Sequence, residues 1–174
     1  MSFRPTIIQY AWVVPKLEDA ARHWHETAGI GPFLINRDLR LGAPRYRGTP
    51  SETRFSTAVA QHGEIQIELV EQLDDSPSAY RDLVPQGATG FHHIAFIAAD
   101  FDAGLAHYTT RGYDVAADGN FGPMRYAYID TAADLGHMIE IVEDKPAIQS
   151  FFRAVRKAAE RWDRDPATLL RELG

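Results

Sequence analysis

The sequence contains no cysteine. Disulfide frameworks, zinc–thiolate sites and cysteine nucleophiles are therefore excluded, and any bound metal would be held by histidine, carboxylate or amide groups. Positive charge is also scarce, since 18 lysines and arginines stand against 24 acidic residues and the formal net charge is −6. A dedicated nucleic-acid-binding protein usually carries a basic face, so this balance argues against a nucleic-acid partner.

Long apolar runs are missing as well. No stretch approaches the roughly 18 apolar residues of a membrane-spanning helix, so we expect no membrane partner. The N-terminal segment MSFRPTIIQYAWVVP has too short an apolar part for a signal peptide, and we predict a cytoplasmic protein. At 174 residues, the chain is long enough for one compact domain or for two small modules packed together.

What the sequence does contain is an internal repeat. Residues 9–24, QYAWVVPKLEDAARHW, align with residues 93–108, HIAFIAADFDAGLAHY, at an offset of 84. Residues 65–71, IQIELVE, align with residues 137–143, HMIEIVE, at an offset of 72. The first half therefore carries about 12 more residues between its matched segments, and the stretch RLGAPRYRGTPSE is the predicted insertion loop.

Each half shows the same predicted order of elements, a strand, a helix and then further strands. This order predicts an α+β fold of tandem βαβββ modules, whose curved mixed sheets form a cleft, with helices at the C-terminus. The predicted segments are a first module (1–75), a linking helix and loop (76–90), a second module (91–144) and a C-terminal helical tail (145–174). In the tail we predict a helix over 147–162 and a second short helix that opens with Asp165 and Pro166.

Four polar residues stand at equivalent positions of the repeat. Gln9 and His93 lie near the start of the two halves, and Glu68 and Glu140 lie in their last predicted strands. A local pseudo-twofold axis would bring all four into one cleft. One imidazole, two carboxylates and one amide suit Zn, Mn, Co, Ni, Fe(II) or Mg, and they leave coordination positions open for a substrate. We therefore predict that Gln9, Glu68, His93 and Glu140 bind a divalent metal ion.

Taken alone, each of these residues has a plainer interpretation. A glutamate in an alternating strand usually faces solvent, and a single histidine is most often a hydrogen-bonded core residue. Their joint occurrence at equivalent positions favours the metal site. Two further glutamates, Glu71 and Glu143, each lie three residues after one of these glutamates, so their side chains point to the other face of the strand. They are predicted to face solvent. His92 is predicted to be structural, and Tyr128 is predicted to belong to the core.

Other polar groups are weaker candidates. Arg45, Arg47 and Arg54 form a basic group near the insertion, which is either a solvated loop or a site that captures a carboxylate, phosphate or CoA-type group. Residues 120–125 flank a Gly-Pro turn and are candidates for the lip of the cleft. His137 is a candidate for contact with a substrate. The amphipathic segment FFRAVRKAAERW is predicted to pack on its own domain or on the mate in a homodimer.

The segments IELVEQLDDSPSAYRDL and GFHHIAF carry a resemblance to a known family. Over roughly residues 5–144 the chain resembles the vicinal oxygen chelate (glyoxalase-like) superfamily, and within it the methylmalonyl-CoA epimerase and glyoxalase I-like members. In that family the metal ligands lie on the first and last strands of each module, which corresponds to Gln9, Glu68, His93 and Glu140. The resemblance implies a metal-dependent isomerase, epimerase or lyase that transfers a proton next to the carbonyl of a small carbonyl compound or thioester, with Glu68 or Glu140 moving the proton.

Two other functions are compatible with the same family. The first is a metal-dependent, ring-cleaving dioxygenase. Extradiol dioxygenases hold their metal with two histidines and one glutamate, and Gln9 in place of the first histidine weighs against this function. The second is a non-catalytic protein that sequesters a small molecule, although bleomycin-resistance-type binders generally lack the ligands. Epimerase-like members usually have a histidine at the position of Gln9, whereas the set of one glutamine, one histidine and two glutamates resembles that of the zinc form of glyoxalase I. The sequence therefore does not identify the substrate.

Overall fold

Within residues 5–173, which a computed structural model describes, the framework is a mixed sheet of 11 strands. The strands are β1 (Thr6–Val13), β2 (Phe33–Asn36), β3 (Gly42–Tyr46), β4 (Thr49–Pro50), β5 (Phe55–His62), β6 (Ile65–Gln72), β7 (Gly90–Ala98), β8 (Val115–Phe121), β9 (Met124–Ile129), β10 (Met138–Glu143) and β11 (Leu170–Glu172). The helices are α1 (Leu17–Ala28), α2 (Ala79–Leu83), α3 (Phe101–Thr109), α4 (Ala132–Leu135) and α5 (Pro146–Glu160), and a 3-10 turn spans Pro166–Thr168.

The order of the strands confirms the predicted α+β fold of two βαβββ units. It runs β11-β2-β5-β6-β1-β7-β10-β9-β8-β3-β4. In each half the first strand pairs in parallel with the last, β1 with β6 and β7 with β10. The two first strands, β1 and β7, then pair with each other in antiparallel orientation and join the halves. The sheet is curved and does not close into a barrel.

The register between β1 and β7 shows the local pseudo-twofold axis. Gln9 pairs with Ala95, and Ala11 pairs with His93. The repeat offset of 84 converts the first pair into the second, because it maps Gln9 onto His93 and Ala11 onto Ala95. The axis therefore passes between these two pairs, at the centre of the sheet.

The two long repeat helices form where local signals place them. In α1, Leu17 and Ala21 are fully buried at the i, i+4 spacing of one helix face. Gly29 follows in the left-handed conformation, with φ of 67°, and ends the helix. Asp100 caps α3, since its side chain accepts a hydrogen bond of 2.9 Å from the backbone N–H of Ala103.

The interpretation of the insertion as a loop was wrong, because much of it forms the β3–β4 hairpin. β3 pairs antiparallel with β8, a strand of the second half. Arg47 and Gly48 occupy the turn with φ of 47° and 80°. Positive φ at both central residues is typical of the two-residue turns that connect twisted strands. The first half thus extends the sheet of the second half at its outer edge.

The prediction of a wholly helical tail was also wrong. Helix α5 is present, and Asp165 caps the following turn through a 2.9 Å hydrogen bond from the N–H of Ala167. The chain then forms β11, which pairs in parallel with β2 at the opposite edge of the sheet. Leu169 is buried in the core of the first half, and its carbonyl accepts a 2.7 Å hydrogen bond from Phe33. No helix among the described residues is both long and apolar enough to cross a membrane.

Candidate metal centre and substrate cavity

The sheet brings the predicted ligands together within one chain. Ala11 pairs with Glu68 between β1 and β6, and Ala95 pairs with Glu140 between β7 and β10, so the two glutamates occupy equivalent places. The side chain of His93 is fully buried between them. Its Nε2 lies 3.5 Å from an oxygen of Glu68 and 3.3 Å from an oxygen of Glu140.

Gln9 lies on the same side of the sheet as the two glutamates. Together with Glu68 and Glu140 it lines a cavity between the two halves, which we call the central cavity. The side chain of Gln9 is buried, and its amide donates a 3.4 Å hydrogen bond to the side-chain oxygen of Gln66.

A chain of hydrogen bonds fixes the protons on the two adjacent histidines. His92 Nε2 lies 2.8 Å from the carbonyl oxygen of Ala79, which can only accept, so this nitrogen carries a proton. Burial, followed by the charge of His93, lowers the pKa of His92 to about 3, so its ring is neutral and Nδ1 is an acceptor. His93 Nδ1 lies 2.9 Å from that acceptor and therefore donates its proton to it. The structural role predicted for His92 is thus the orientation of His93.

It follows that the other nitrogen of His93, Nε2, faces the two carboxylates. This atom is buried and has no hydrogen bond of acceptable geometry within residues 5–173. Burial alone would lower the pKa of His93, but the carboxylates of Glu140 and Glu68 outweigh it and raise the pKa to about 9. Burial also raises the pKa of Glu68. A cation at Nε2, either a proton or a metal ion, would therefore stabilise the three groups together.

These donors fit a divalent metal. Donor atoms bonded at about 2.1 Å to a tetrahedral ion lie about 3.4 Å apart, and the two contacts of His93 match that spacing. Within residues 5–173 no three or more histidine, aspartate or glutamate side chains are arranged, as they stand, to hold a metal ion. The carboxylates would therefore have to turn toward an ion that binds His93 Nε2. A metal-binding histidine usually donates its other ring N–H to a carboxylate, a backbone carbonyl or water, and for His93 the acceptor is the neutral ring of His92.

Three tyrosines line the central cavity, and none of them was assigned to it from the sequence. Tyr128, predicted as a core residue, is buried but also lines the cavity, as do Tyr80 and Tyr126. The hydroxyls of Tyr80 and Tyr128 lie 3.3 Å apart. Burial raises the pKa of all three, so they stay neutral and can donate hydrogen bonds. The strand register explains the position of Tyr128, because this residue pairs directly with Glu140 between β9 and β10.

The prediction that Glu71 and Glu143 face solvent was wrong. Glu71 accepts a 3.0 Å hydrogen bond from the backbone N–H of Leu17, at the start of α1. The guanidinium of Arg125 binds Glu143 at 2.9 Å and, together with the Arg125 backbone N–H and Lys145, lowers its pKa to about 2. In both halves, this second glutamate attaches the last strand, which carries a candidate ligand, to a neighbouring element.

The three arginines near the insertion are engaged in ion pairs, which favours a structural role over the capture of an anion. Their partners are Asp118 for Arg45 at 2.6 Å, Asp82 and Asp130 for Arg47 at 2.7 Å each, and Asp38 for Arg54 at 3.0 Å. Of the candidates for the cleft lip, Phe121 and Met124 line the central cavity, whereas Arg125 binds Glu143. His137 contacts the carbonyl of Met138 at 2.8 Å.

Two βαβββ units joined through their first strands, with paired polar residues at the junction, define a glyoxalase-like protein. The model of the Glyoxalase/Bleomycin resistance protein/Dioxygenase superfamily matches residues 8–128. The chain therefore belongs to this superfamily, which confirms the resemblance stated from the sequence. No curated protein matches the chain.

Solved structures with the same fold include several methylmalonyl-CoA epimerases. One, in complex with methylmalonyl-CoA and NH4+, is 20% identical, with a TM-score of 0.58 over 82% of this chain and 96% of that one. The Mycobacterium tuberculosis epimerase is 20% identical, with a TM-score of 0.54 over 83% and 91%. A hypothetical protein from Bacillus halodurans is 16% identical, with a TM-score of 0.57 over 82% and 96%. These likenesses confirm the predicted similarity to epimerase-like members as a similarity of fold.

Proposed function

We propose that this protein is a metal-dependent enzyme that transfers a proton next to the carbonyl group of a small molecule, as an isomerase, epimerase or lyase. The observation that carries the proposal is the buried His93 Nε2, which lies 3.5 Å from an oxygen of Glu68 and 3.3 Å from an oxygen of Glu140. Gln9, Glu68, His93 and Glu140 would hold the ion. When bound, such an ion acts as a Lewis acid that stabilises the negative oxygen formed when a carbon next to a carbonyl loses its proton.

The two glutamates would move the proton. A carboxylate takes the proton from the carbon next to the carbonyl, and the electron pair of the broken C–H bond moves into the enolate. The same proton, or one from the second glutamate, then returns to that carbon. Glu68 and Glu140 come from opposite halves, and inversion at this carbon requires that they act on opposite faces of the bound carbonyl compound. Tyr80 and Tyr128, both neutral, would donate hydrogen bonds within the same space.

Elemental analysis of the purified protein tests the metal, and deuterium exchange tests the chemistry. We expect stoichiometric divalent metal in the wild-type protein and its loss in the His93→Ala and Glu140→Ala variants. We also expect the Glu68→Gln and Glu140→Gln variants to lose exchange between deuterated water and the carbon next to a carbonyl. Stoichiometric metal that persists in both alanine variants would overturn the assigned site. Oxygen consumption by an Fe(II)-loaded protein would instead indicate a dioxygenase. A homodimer and a cytoplasmic location stay predictions.

A further inference from the structure

The wall of the central cavity is mostly apolar. Of the 19 residues that line it, 11 are aliphatic, phenylalanine or methionine, and both halves of the chain contribute. Leu39, Leu41 and Phe55 come from the first half, and Met124 and Val142 from the second. The polar lining is concentrated in Gln9, the two glutamates and the three tyrosines, with Asn36 and Thr57 beside them. A molecule bound here would thus have one end among polar groups and the rest against hydrocarbon.

In the described part of the chain, the central cavity offers a negative group no positively charged side chain, and its neutral donors are confined to the polar end. Among the described residues that line it there is no lysine, arginine or histidine, whereas two carboxylates are present. The nearby guanidiniums are already paired, Arg54 with Asp38 and Arg125 with Glu143. A carboxylate placed along this wall would be desolvated without a partner and repelled by two like charges, which is a costly arrangement.

Helix α5 supplies part of the apolar wall. Ile148, Phe151 and Phe152 line the central cavity and have the i, i+3, i+4 spacing of one helix face. Val155, one turn further, is buried against Leu34 and Val59 and holds this face on the sheet. The sequence predicted that this amphipathic helix packs either on its own domain or on a second subunit. In the structure it packs on its own domain.

The size of the central cavity limits what fits. Its volume of about 110 Å³ is somewhat smaller than the roughly 150 Å³ of an apolar protein cavity that binds benzene. A branched aliphatic group of four or five carbons matches this volume.

From this lining we propose that the site takes a neutral carbonyl compound with a small apolar group, and that it rejects compounds that carry a free carboxylate beyond the carbonyl. The carbonyl would lie at the polar end, near His93 and the two glutamates, and the apolar group against α5 and Phe121. This inference rests on the proposed function for the position of the carbonyl. It separates the protein from its epimerase neighbours, one of which is described with methylmalonyl-CoA, a ligand that has a free carboxylate.

Two ligands of the same heavy-atom skeleton test the proposal. Levulinate and methyl isoamyl ketone share a methyl ketone and a two-carbon spacer, and a carboxylate in the first replaces an isopropyl group in the second. Ligand-observed NMR titration measures the affinity of each for metal-free and for zinc-loaded protein. We expect the ketone to bind about tenfold or more tightly than levulinate in both states. Equal or tighter binding of levulinate in either state, or binding of neither compound, would overturn the proposal.

Variants locate the preference on the cavity wall. Phe121 is 39% exposed, so the Phe121→Arg variant folds and places a cation at the mouth of the cavity. We expect this variant to bind levulinate more tightly than wild type does, and so to show a smaller preference for the ketone over levulinate. The Phe121→Leu variant should keep the wild-type preference. Phe152→Ala is expected to weaken binding of the ketone, and Arg153→Ala, on the exposed side of α5, is the matched control. An unchanged preference in Phe121→Arg would contradict the assignment of the apolar group to this wall.

Deuterium exchange distinguishes this proposal from the proposed function. The zinc-loaded protein is incubated with methyl isoamyl ketone in deuterated water, and exchange of the protons next to the carbonyl is measured. Tighter binding of the ketone than of levulinate, without deuterium exchange, would refute the proposed function and support the proposed substrate class. Deuterium exchange without a preference for the ketone would refute only the substrate class.

Discussion

Replacement of His92 is expected to weaken metal binding, although His92 is not itself a predicted ligand. In the His92→Leu variant the Nδ1–H of His93 loses its acceptor, and the carbonyl of Ala79 loses its donor. His93 is then free to rotate or to carry its proton on Nε2, the nitrogen that should face the ion. Removal of such an outer partner typically lowers metal affinity about 10- to 100-fold. Each buried polar group left without a partner also costs about 1–3 kcal/mol of folding stability.

The assay is competition for zinc or cobalt with a chromophoric chelator, together with the visible spectrum of the cobalt form, which reports the geometry of the ligands. His92→Gln is the matched variant, because its amide can accept from His93 and donate to Ala79, and it should recover part of the affinity. His62→Ala, at the exposed end of β5, serves as the control. A folded His92→Leu protein with wild-type affinity and an unchanged cobalt spectrum would refute the reasoning.

Two further predictions concern stability. The folded-state pKa of Glu143 is about 2, below the usual 4.5, so its stabilising contribution is present above pH 4.5 and is lost as the pH falls toward 2. Chemical denaturation should therefore show that Glu143→Gln is less stable than wild type at pH 7, and that the difference in unfolding free energy disappears as the pH falls from 4.5 to 2. Asp102→Asn, whose carboxylate is 77% exposed, should change the stability little. A difference that stays constant down to pH 2 would contradict this assignment. Leu169→Ala should lower the free energy of unfolding by about 2–5 kcal/mol, because the side chain is 3% exposed in the core of the first half. Leu135→Ala, at a side chain that is 52% exposed, is the control, and a similar small loss at both positions would show that β11 and its turn do not hold the sheet edge.

The repeat determined the part of the structure that follows from local pattern. Alternating apolar residues specify strands, and the two offsets align Gln9 with His93 and Glu68 with Glu140. Equivalent residues in two copies of one fold must lie at symmetric places, so their convergence followed once the copies were joined by like strands. That is why the four candidate ligands and the family could be predicted from the chain alone.

Tertiary structure decided the features that depend on partners far away in the chain. Nothing local in RLGAPRYRGTPSE says that β3 pairs with β8, or in the tail that β11 pairs with β2, because a strand edge accepts any strand of suitable register. Glu71 and Glu143 were misread for the same reason, since their partners lie on other elements. The orientation of His93 depends on the carbonyl of Ala79, which only the folded chain places beside His92. The sequence by itself thus predicted which residues belong to the candidate metal centre, whereas the fold decided where their protons lie and how apolar the cavity around them is, because both depend on contacts between distant segments.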